Sequence, residues 1–299
     1  AAIVQNGDVR GIYHKSFLPN YSVFDEARYF SKGNQADTLF WYDDIAIGIN
    51  ICEDIWIENG PAEEQVKQGA SLIININASP YDIQKNETRK EIVMKKALKL
   101  NVPIIYLNMV GGQDELVFDG GSFVVDDLGE IIYQASSFKE EVFHLDIDLK
   151  IKKQNDKPSL LIRPKTIELK DIKSKPSMSE NESIYSALKL GLLDYVSKNK
   201  FTKVLIGISG GIDSALTAAI CVDALGAQNV IGVAMPSKYN SKDSLDDAIK
   251  LSTNLGIKLK TIEIEKIVDN FRETLKNSLN EELGLSLIHI SEPTRPSTI

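Results

Sequence analysis

The sequence predicts a mixed α/β protein made of two consecutive domains. Two largely apolar, β-branched runs at residues 44–51 and 71–76 indicate strands buried on both faces, and a helix predicted at 61–68 joins them. A second alternation of short apolar strands with helices begins near Val204. The chain has 299 residues, which is enough for two hydrophobic cores, since domains usually span about 100 to 200 residues.

The remaining elements of the first half follow from periodicity. Apolar residues recur among lysines at 88–100, which predicts an amphipathic helix, and residues 102–107 predict the strand after it. Two apolar runs at 117–125 and 130–133 flank Asp126-Asp127-Leu128-Gly129 and predict a hairpin. Helices and strands therefore alternate along most of this half.

The second half predicts a parallel sheet with helical crossovers. Gly226 and Gly256 stand where two of its helices are expected to stop. Helices are predicted at 183–198, 214–225, 244–255 and 271–282, and strands at 204–208, 230–235 and 258–264. This alternation is typical of a doubly wound sheet, of which the chain holds only a part.

Composition suggests where the domains begin and end. Residues 151–180 are rich in Lys, Asp, Ser and Pro, which predicts a linker between a domain at 1–150 and a partial one at 181–284. Residues 285–299 do not continue the preceding pattern and resemble translated sequencing adapter, so we expect a non-native tail. Because Ala1 is not an initiator methionine, we also expect the first domain to lack its natural start.

Charge and composition argue against several classes of protein. The net charge of −8 disfavours a nucleic-acid-binding protein, because phosphate backbones require a clustered basic surface. No apolar run is long enough to span a bilayer, and a secretory signal pattern is missing, so we expect a cytoplasmic protein without a membrane partner. Cys52 and Cys221 lie in different predicted domains, which argues against a disulfide.

A loop in the second half has the features of a phosphate site. A buried strand runs into Ser209-Gly210-Gly211-Ile212-Asp213-Ser214 and then a helix, whose first amides attract anions. The loop lacks the lysine of a Walker A motif, and Asp213 implies a Mg²⁺ between its carboxylate and a nucleotide. The alternative is that the two glycines only make a tight turn.

This loop resembles the pyrophosphate loop of ATP pyrophosphatases, which cleave ATP between its α and β phosphates. Met235-Pro236-Ser237-Lys238-Tyr239-Asn240-Ser241 follows the next strand and is similar to a segment that lines the ATP pocket of NAD synthetases. The resemblance implies that ATP contacts a set of loop and strand-end residues. These residues are Ser209, Gly210, Gly211, Asp213, Ser214, Met235 and Ser241.

A cysteine of the first half stands in a similarly informative context. Cys52 follows an apolar strand, where a lone cysteine is more often core than a working thiol. The run from Tyr13 to Phe30, which contains Lys15, resembles the lysine motif of the NAD synthetase branch of the nitrilase superfamily. The resemblance implies an α-β-β-α sandwich, Cys52 as nucleophile, Lys15 as oxyanion partner and the backbone N–H of Glu53 in the oxyanion hole.

Two further segments resemble the glutamine pocket of that family. They are 77–81 and 111–121, with Ser79 and Tyr81 as the glutamine-binding candidates. Arg89 is weaker, because a solvated helix charge explains it equally well.

The general-base glutamate of the family lies well before the lysine motif, and no glutamate precedes Lys15. The other candidates, Glu26, Glu53, Glu58 and Glu63, stand in a different context and are not assigned this role. We therefore expect impaired glutamine hydrolysis by the chain as given.

The combined motifs resemble glutamine-dependent NAD synthetases over about residues 1–280. The implied reaction takes ammonia from glutamine, adenylates deamido-NAD with ATP and releases AMP and pyrophosphate in an enzyme that forms homo-oligomers. One alternative is another ammonia-using ATP pyrophosphatase, such as a GMP or asparagine synthetase, against which the motifs around Lys15 and Cys52 count. The other is an inactive fragment that only binds nucleotide.

Overall fold

The computed structural model describes residues 1–34, 38–150, 178–236 and 242–279. These residues form two compact units, one spanning Ala1–Lys200 and one beginning at Phe201. The predicted linker at 151–180 falls almost wholly outside the described residues. Ser241 and the expected tail at 285–299 also lie outside them.

The described part of the first unit contains ten strands and four helices. The strands are β1 Ala2–Gln5, β2 Asp8–Ile12, β3 Leu39–Tyr42, β4 Ile45–Ile51, β5 Leu72–Asn77, β6 Ile104–Asn108, β7 Val110–Gln113, β8 Leu116–Asp119, β9 Phe123–Val125 and β10 Ile131–Gln134. The helices are α1 Glu26–Tyr29, α2 Pro61–Lys67, α3 Lys85–Leu100 and α4 Glu180–Lys198, and a 3-10 turn spans Cys52–Ile55.

Six of these strands form one mixed sheet in the order β10-β9-β6-β5-β4-β3. Its centre, β4-β5-β6, is parallel, with Ile51 beside Ile76 and Asn77 beside Asn108. The carboxyl ends of the three strands therefore meet at one edge of the sheet. The predicted central strands and the helices between them are confirmed.

The two faces of this sheet are covered differently. Ile73 and Ile104 belong to a core with residues of α2 and α3, which closes one face with helices. Ile49 and Val124 point to the other face, because register aligns them across the sheet and side chains alternate along a strand. There they pack in separate clusters with β1 and with the 143–147 segment.

The predicted strand at 117–125 is wrong, because the chain forms two strands there. Gly120 and Gly121 both have left-handed backbone, with φ of +63° and +61°, and end β8 before β9 begins. A Cβ at Gly120 would lie 2.4 Å from Cγ2 of Val110, so the turn has no room for a side chain. As a result β8 pairs with β7, and the predicted hairpin joins only β9 and β10.

Helix α4 packs against the β7-β8 hairpin. The amide of Gly112 donates to the Asp194 carboxylate at 2.7 Å, and the Lys198 ammonium donates to the Gly112 carbonyl. The Cβ position of Gly112 is 3.1 Å from Cα of Gly191, so a side chain at residue 112 would require the helix and the strand to move apart by a few tenths of an ångström. The first compact unit therefore includes α4. The assignment of residues 181–284 to a second domain stays a prediction.

The described part of the second unit contains a three-stranded parallel sheet in the order β11-β12-β13. It consists of β11 Val204–Gly207, α5 Ile212–Leu225, β12 Val230–Ala234, α6 Lys242–Leu255, β13 Lys258–Thr261 and α7 Glu265–Leu279. Strands in sequential order with helical crossovers make one half of a doubly wound sheet. The predicted fold class is confirmed for both halves.

Candidate active site

Cys52 lies at the point where β4 turns into the 3-10 helix. Its backbone is left-handed, with φ of +46°, and its carbonyl accepts a hydrogen bond from Nδ2 of Asn75 at 3.4 Å. Left-handed backbone is uncommon for a residue with a side chain and clusters at functional sites. The turn places the half-buried thiol at the edge where the parallel strands end.

A cavity of about 370 Å³ opens beside this thiol. Cys52, Lys15, Glu26 and Ala78 are among the residues that line it. The volume falls within the usual range of small-molecule sites, about 300 to 1,000 Å³. The structure thus brings the predicted nucleophile and the predicted lysine to one cavity.

Glu26 is the residue of this cavity that sequence reasoning set aside. Nζ of Lys15 donates to both carboxylate oxygens of Glu26, at 2.7 and 2.6 Å, and both side chains are largely buried. Glu26 begins helix α1, and its amide donates to the Pro19 carbonyl at 3.2 Å, which closes the loop between the lysine segment and the helix. No spacing rule predicts this closure, which is why the carboxylate was missed.

The charges around Cys52 act in opposite directions on its thiol. Burial raises the pKa of Cys52, and the Lys15 ammonium opposes this effect most strongly. The carboxylates of Glu53 and Glu26 raise the pKa further, while Arg89 lowers it. Within the Lys15-Glu26 pair, the ammonium therefore favours the Cys52 thiolate and the carboxylate disfavours it.

Opposite changes in Cys52 reactivity are expected when the two members of this pair are altered. In Lys15→Met the thiolate loses its cation, so alkylation by iodoacetamide should slow several-fold at mildly alkaline pH and its pH midpoint should rise. In Glu26→Gln a repulsive charge is removed, so the midpoint should fall. Mass spectrometry that follows Cys52 and Cys221 separately checks both directions, and a shift of the same sign in both variants would contradict them.

Ser79 and Tyr81, the predicted glutamine contacts, lie on the segment after β5 but engage protein partners. The Ser79 hydroxyl accepts from Nε of Arg89 at 3.1 Å. The Tyr81 hydroxyl accepts from Oγ of Ser183 at 3.0 Å, and its ring packs edge-on against Phe138. Neither side chain lines the cavity beside Cys52, so their glutamine contacts remain a prediction.

The interpretation of Arg89 as a solvated helix charge is wrong. Its side chain is 1% exposed, and all five N–H donors are used. Two reach the Asp119 carboxylate at 2.8 and 2.9 Å, two reach the carbonyls of Ser79 and Pro80, and Nε reaches the Ser79 hydroxyl. Arg89 thus binds the segment after β5 to the end of β8.

The side chain of Glu53 turns toward Tyr21, whose hydroxyl donates to Oε2 at 2.9 Å. The predicted role of Glu53 concerns its backbone N–H, which would lie in the oxyanion hole, and this role stays a prediction. The next residue, Asp54, was not singled out by the sequence. It is fully buried and accepts four hydrogen bonds from both sides of the site.

The second unit forms the predicted strand-loop-helix at residues 204–225, where a phosphate loop is predicted. Gly210 has φ of +83°, and a Cβ there would lie 2.5 Å from the carbonyl oxygen of Ser244 on α6. The hydroxyls of Ser209 and Ser214 lie 3.1 Å apart, and that of Ser214 also donates to the Gly211 carbonyl at 3.0 Å. Hydroxyl bonds within the loop therefore fix its shape, and its Gly210 backbone lies close against the start of α6.

The other predicted ATP contacts lie around this loop or beyond the described residues. Asp213 is exposed in the first turn of α5. Met235 follows β12, and its Cε lies 3.4 Å from the Cβ position of Gly207 at the end of β11. Within the described ranges no group of three or more His, Cys, Asp or Glu side chains is arranged to hold a metal. No helix in those ranges is long and apolar enough to cross a membrane.

Comparison with known proteins supports the resemblance drawn from the motifs. The carbon-nitrogen hydrolase family matches residues 1–153, and the NAD synthase family matches residues 184–284. The glutamine-dependent NAD(+) synthetase of Thermotoga maritima is 43% identical over 297 residues, covering 92% of this chain and 51% of that protein. That of Aquifex aeolicus is 42% identical over 282 residues, covering 89% of this chain and 50% of that protein.

A solved structure has the same arrangement of elements. The glutamine-dependent NAD+ synthetase of Acinetobacter baumannii, determined in complex with ADP, superimposes with a TM-score of 0.82 at 38% identity. The alignment covers 96% of this chain and 52% of that one. The chain spans about half the length of the curated relatives it matches.

Proposed function

This chain belongs to the carbon-nitrogen hydrolase family, and from that membership we propose that it is part of a cytoplasmic, homo-oligomeric glutamine-dependent NAD synthetase. The observation that carries the proposal is the cavity that Cys52, Lys15 and Glu26 share. The NAD synthase match at 184–284 favours this activity over other ammonia-using ATP pyrophosphatases.

In the first unit the proposed substrate is glutamine. The Cys52 thiolate attacks the carbon of the side-chain amide, and the resulting oxyanion is stabilised by the Lys15 ammonium and the backbone N–H of Glu53. The amide nitrogen takes up the proton that the thiol gave up, the C–N bond breaks and ammonia leaves. Water then hydrolyses the thioester to glutamate and restores the thiol. Glu26 holds the Lys15 ammonium at the wall of the cavity.

In the second unit the proposed substrates are ATP and deamido-NAD. The backbone amides at the start of α5 bind the phosphates, and Gly210 and Gly211 let them approach closely. A Mg²⁺ held by Asp213 would neutralise phosphate charge, and an exposed carboxylate beside the loop suits an ion that binds through one or two carboxylates and substrate phosphates. The nicotinate carboxylate displaces pyrophosphate from ATP, and ammonia then displaces AMP.

Labelling with an electrophilic glutamine analogue tests the amidase proposal directly at the thiol, without a measurement of turnover. Because Cys52 lines a cavity and Cys221 is 7% exposed on α5, the analogue should modify Cys52 at least tenfold faster, roughly the effect of 1.4 kcal/mol. Free glutamine should protect Cys52, and Lys15→Ala should abolish the selectivity.

The comparison of the two cysteines in one chain is its own control. Mass spectrometry of the digested protein gives both labelling rates from each sample. Equal labelling of Cys52 and Cys221, or labelling of Cys52 that glutamine does not slow, would reject a primed nucleophile in a glutamine pocket.

A further inference from the structure

The carboxylate of Asp54 joins the two catalytic segments of the first unit. Its Oδ1 accepts from the amides of Ser16 and Phe17 at 3.0 and 2.9 Å, directly after Lys15. Its Oδ2 accepts from the amide of Ile51 at 3.0 Å, directly before Cys52, and from the Tyr13 hydroxyl at 2.8 Å. One fully buried side chain thus binds both flanks of the lysine and one flank of the cysteine.

Only a carboxylate can satisfy this arrangement. All four partners donate, and an ionised carboxylate offers about four acceptor sites and no donor. An asparagine in the same place would turn an NH2 group toward either the amides of Ser16 and Phe17 or the amide of Ile51. Burial raises the pKa of Asp54, and the four donors oppose that rise by stabilising the charged form.

We infer that Asp54 is a positioning residue that fixes the lysine segment to the cysteine turn and so keeps the Lys15 ammonium, which Glu26 binds directly, beside the Cys52 thiol, an inference that rests on the proposed amidase function. The lysine segment and the cysteine turn belong to distant parts of the chain, and Lys15 acts on the thiol only at short range. Loss of the Asp54 contacts releases both segments, so the thiol loses its cation even though Lys15 is still present.

The pH profile of Cys52 alkylation by iodoacetamide measures this effect directly. Besides burial, which raises it most, four charged groups shift the pKa of Cys52: Lys15 and Arg89 lower it, and Glu53 and Glu26 raise it. Lys15 lowers this pKa more than Arg89 does. We expect Asp54→Asn to raise the pH midpoint as Lys15→Met does, with a several-fold loss of rate at mildly alkaline pH. We expect the double variant to match Lys15→Met alone, because a residue that acts through Lys15 has no effect without it.

Asp44→Asn supplies the matched control, since it makes the same chemical change at an exposed position. A midpoint unchanged in Asp54→Asn, or a shift that adds to that of Lys15→Met, would overturn the inference and leave Asp54 as a purely structural residue. If Asp54→Asn does not fold, Tyr13→Phe tests the inference instead, because it removes one of the four donors to Asp54. We expect Tyr13→Phe to raise the pH midpoint of Cys52 alkylation by less than Asp54→Asn would, and to leave the midpoint of Lys15→Met unchanged. No shift in Tyr13→Phe would overturn the inference.

The outcome is independent of substrate identity. Iodoacetamide measures the reactivity of the Cys52 thiol alone, whereas the selectivity of the glutamine analogue also depends on binding in the pocket. Failure of the analogue to select Cys52 in the unaltered chain would reject the proposed function, while the alkylation midpoints would still decide the role of Asp54.

Discussion

Replacing Arg89 by methionine should lower the free energy of unfolding of the first unit by about 3 to 5 kcal/mol. The side chain is buried, and its removal leaves the Asp119 carboxylate, also buried, without its cation. The carbonyls of Ser79 and Pro80 each lose a donor from Arg89 as well, and the Ser79 carbonyl keeps only the longer bond from Nδ2 of Asn108 at 3.4 Å. A buried charge without a partner is far more costly than the loss of an exposed ion pair.

Tryptophan fluorescence during denaturation measures this change in the first unit alone, because the chain has two tryptophans, Trp41 and Trp56, and both lie there. Arg28→Met is the matched control, since Arg28 is 70% exposed and its pair with Asp25 is 3.5 Å long. We expect the control to change stability by no more than about 0.5 kcal/mol.

The physical cause is tested by a second change at Asp119. Adding Asp119→Asn to Arg89→Met removes the unpaired charge and should recover part of the lost stability. Equal stability of Arg89→Met and Arg28→Met would show that the buried pair does not hold the first unit together.

In the second unit, Gly210→Ala should displace the loop at residues 209–214 from α6. A left-handed alanine costs about 1 to 2 kcal/mol, and its Cβ would meet the backbone of Ser244 at 2.5 Å. The loop must therefore move away from α6 and lose the geometry proposed for phosphate binding. Gly211→Ala is the matched control, because φ there is −88° and the nearest atom to a Cβ is Oγ of Ser209 at 3.4 Å.

Hydrogen exchange of the loop and of the first turns of α6 measures the displacement. We expect faster exchange in Gly210→Ala at both places and near-native exchange in Gly211→Ala. Similar exchange in the two variants would mean that the contact between the loop and α6 does not constrain the loop.

Much of the fold could be predicted because local pattern and tertiary packing agree. The central strands of the first unit are apolar runs buried on both faces, and the loop at Ser209 follows a strand and precedes a helix, as a phosphate loop must. The strand predicted at 117–125 failed because apolar residues continue across Gly120 and Gly121, while the left-handed backbone at these glycines redirects the chain.

Residue type and short spacing alone are enough to predict the central strands and helices, the family resemblance, and the motifs that contain Lys15 and Cys52. These features can be read from one chain. The pairing of Glu26 with Lys15, the burial of Arg89 against Asp119 and the contacts of Asp54 with two distant segments are visible only in the folded protein. Such carboxylate and guanidinium contacts depend on where the chain returns in space, and a charged residue looks the same in sequence whether it is solvated or paired.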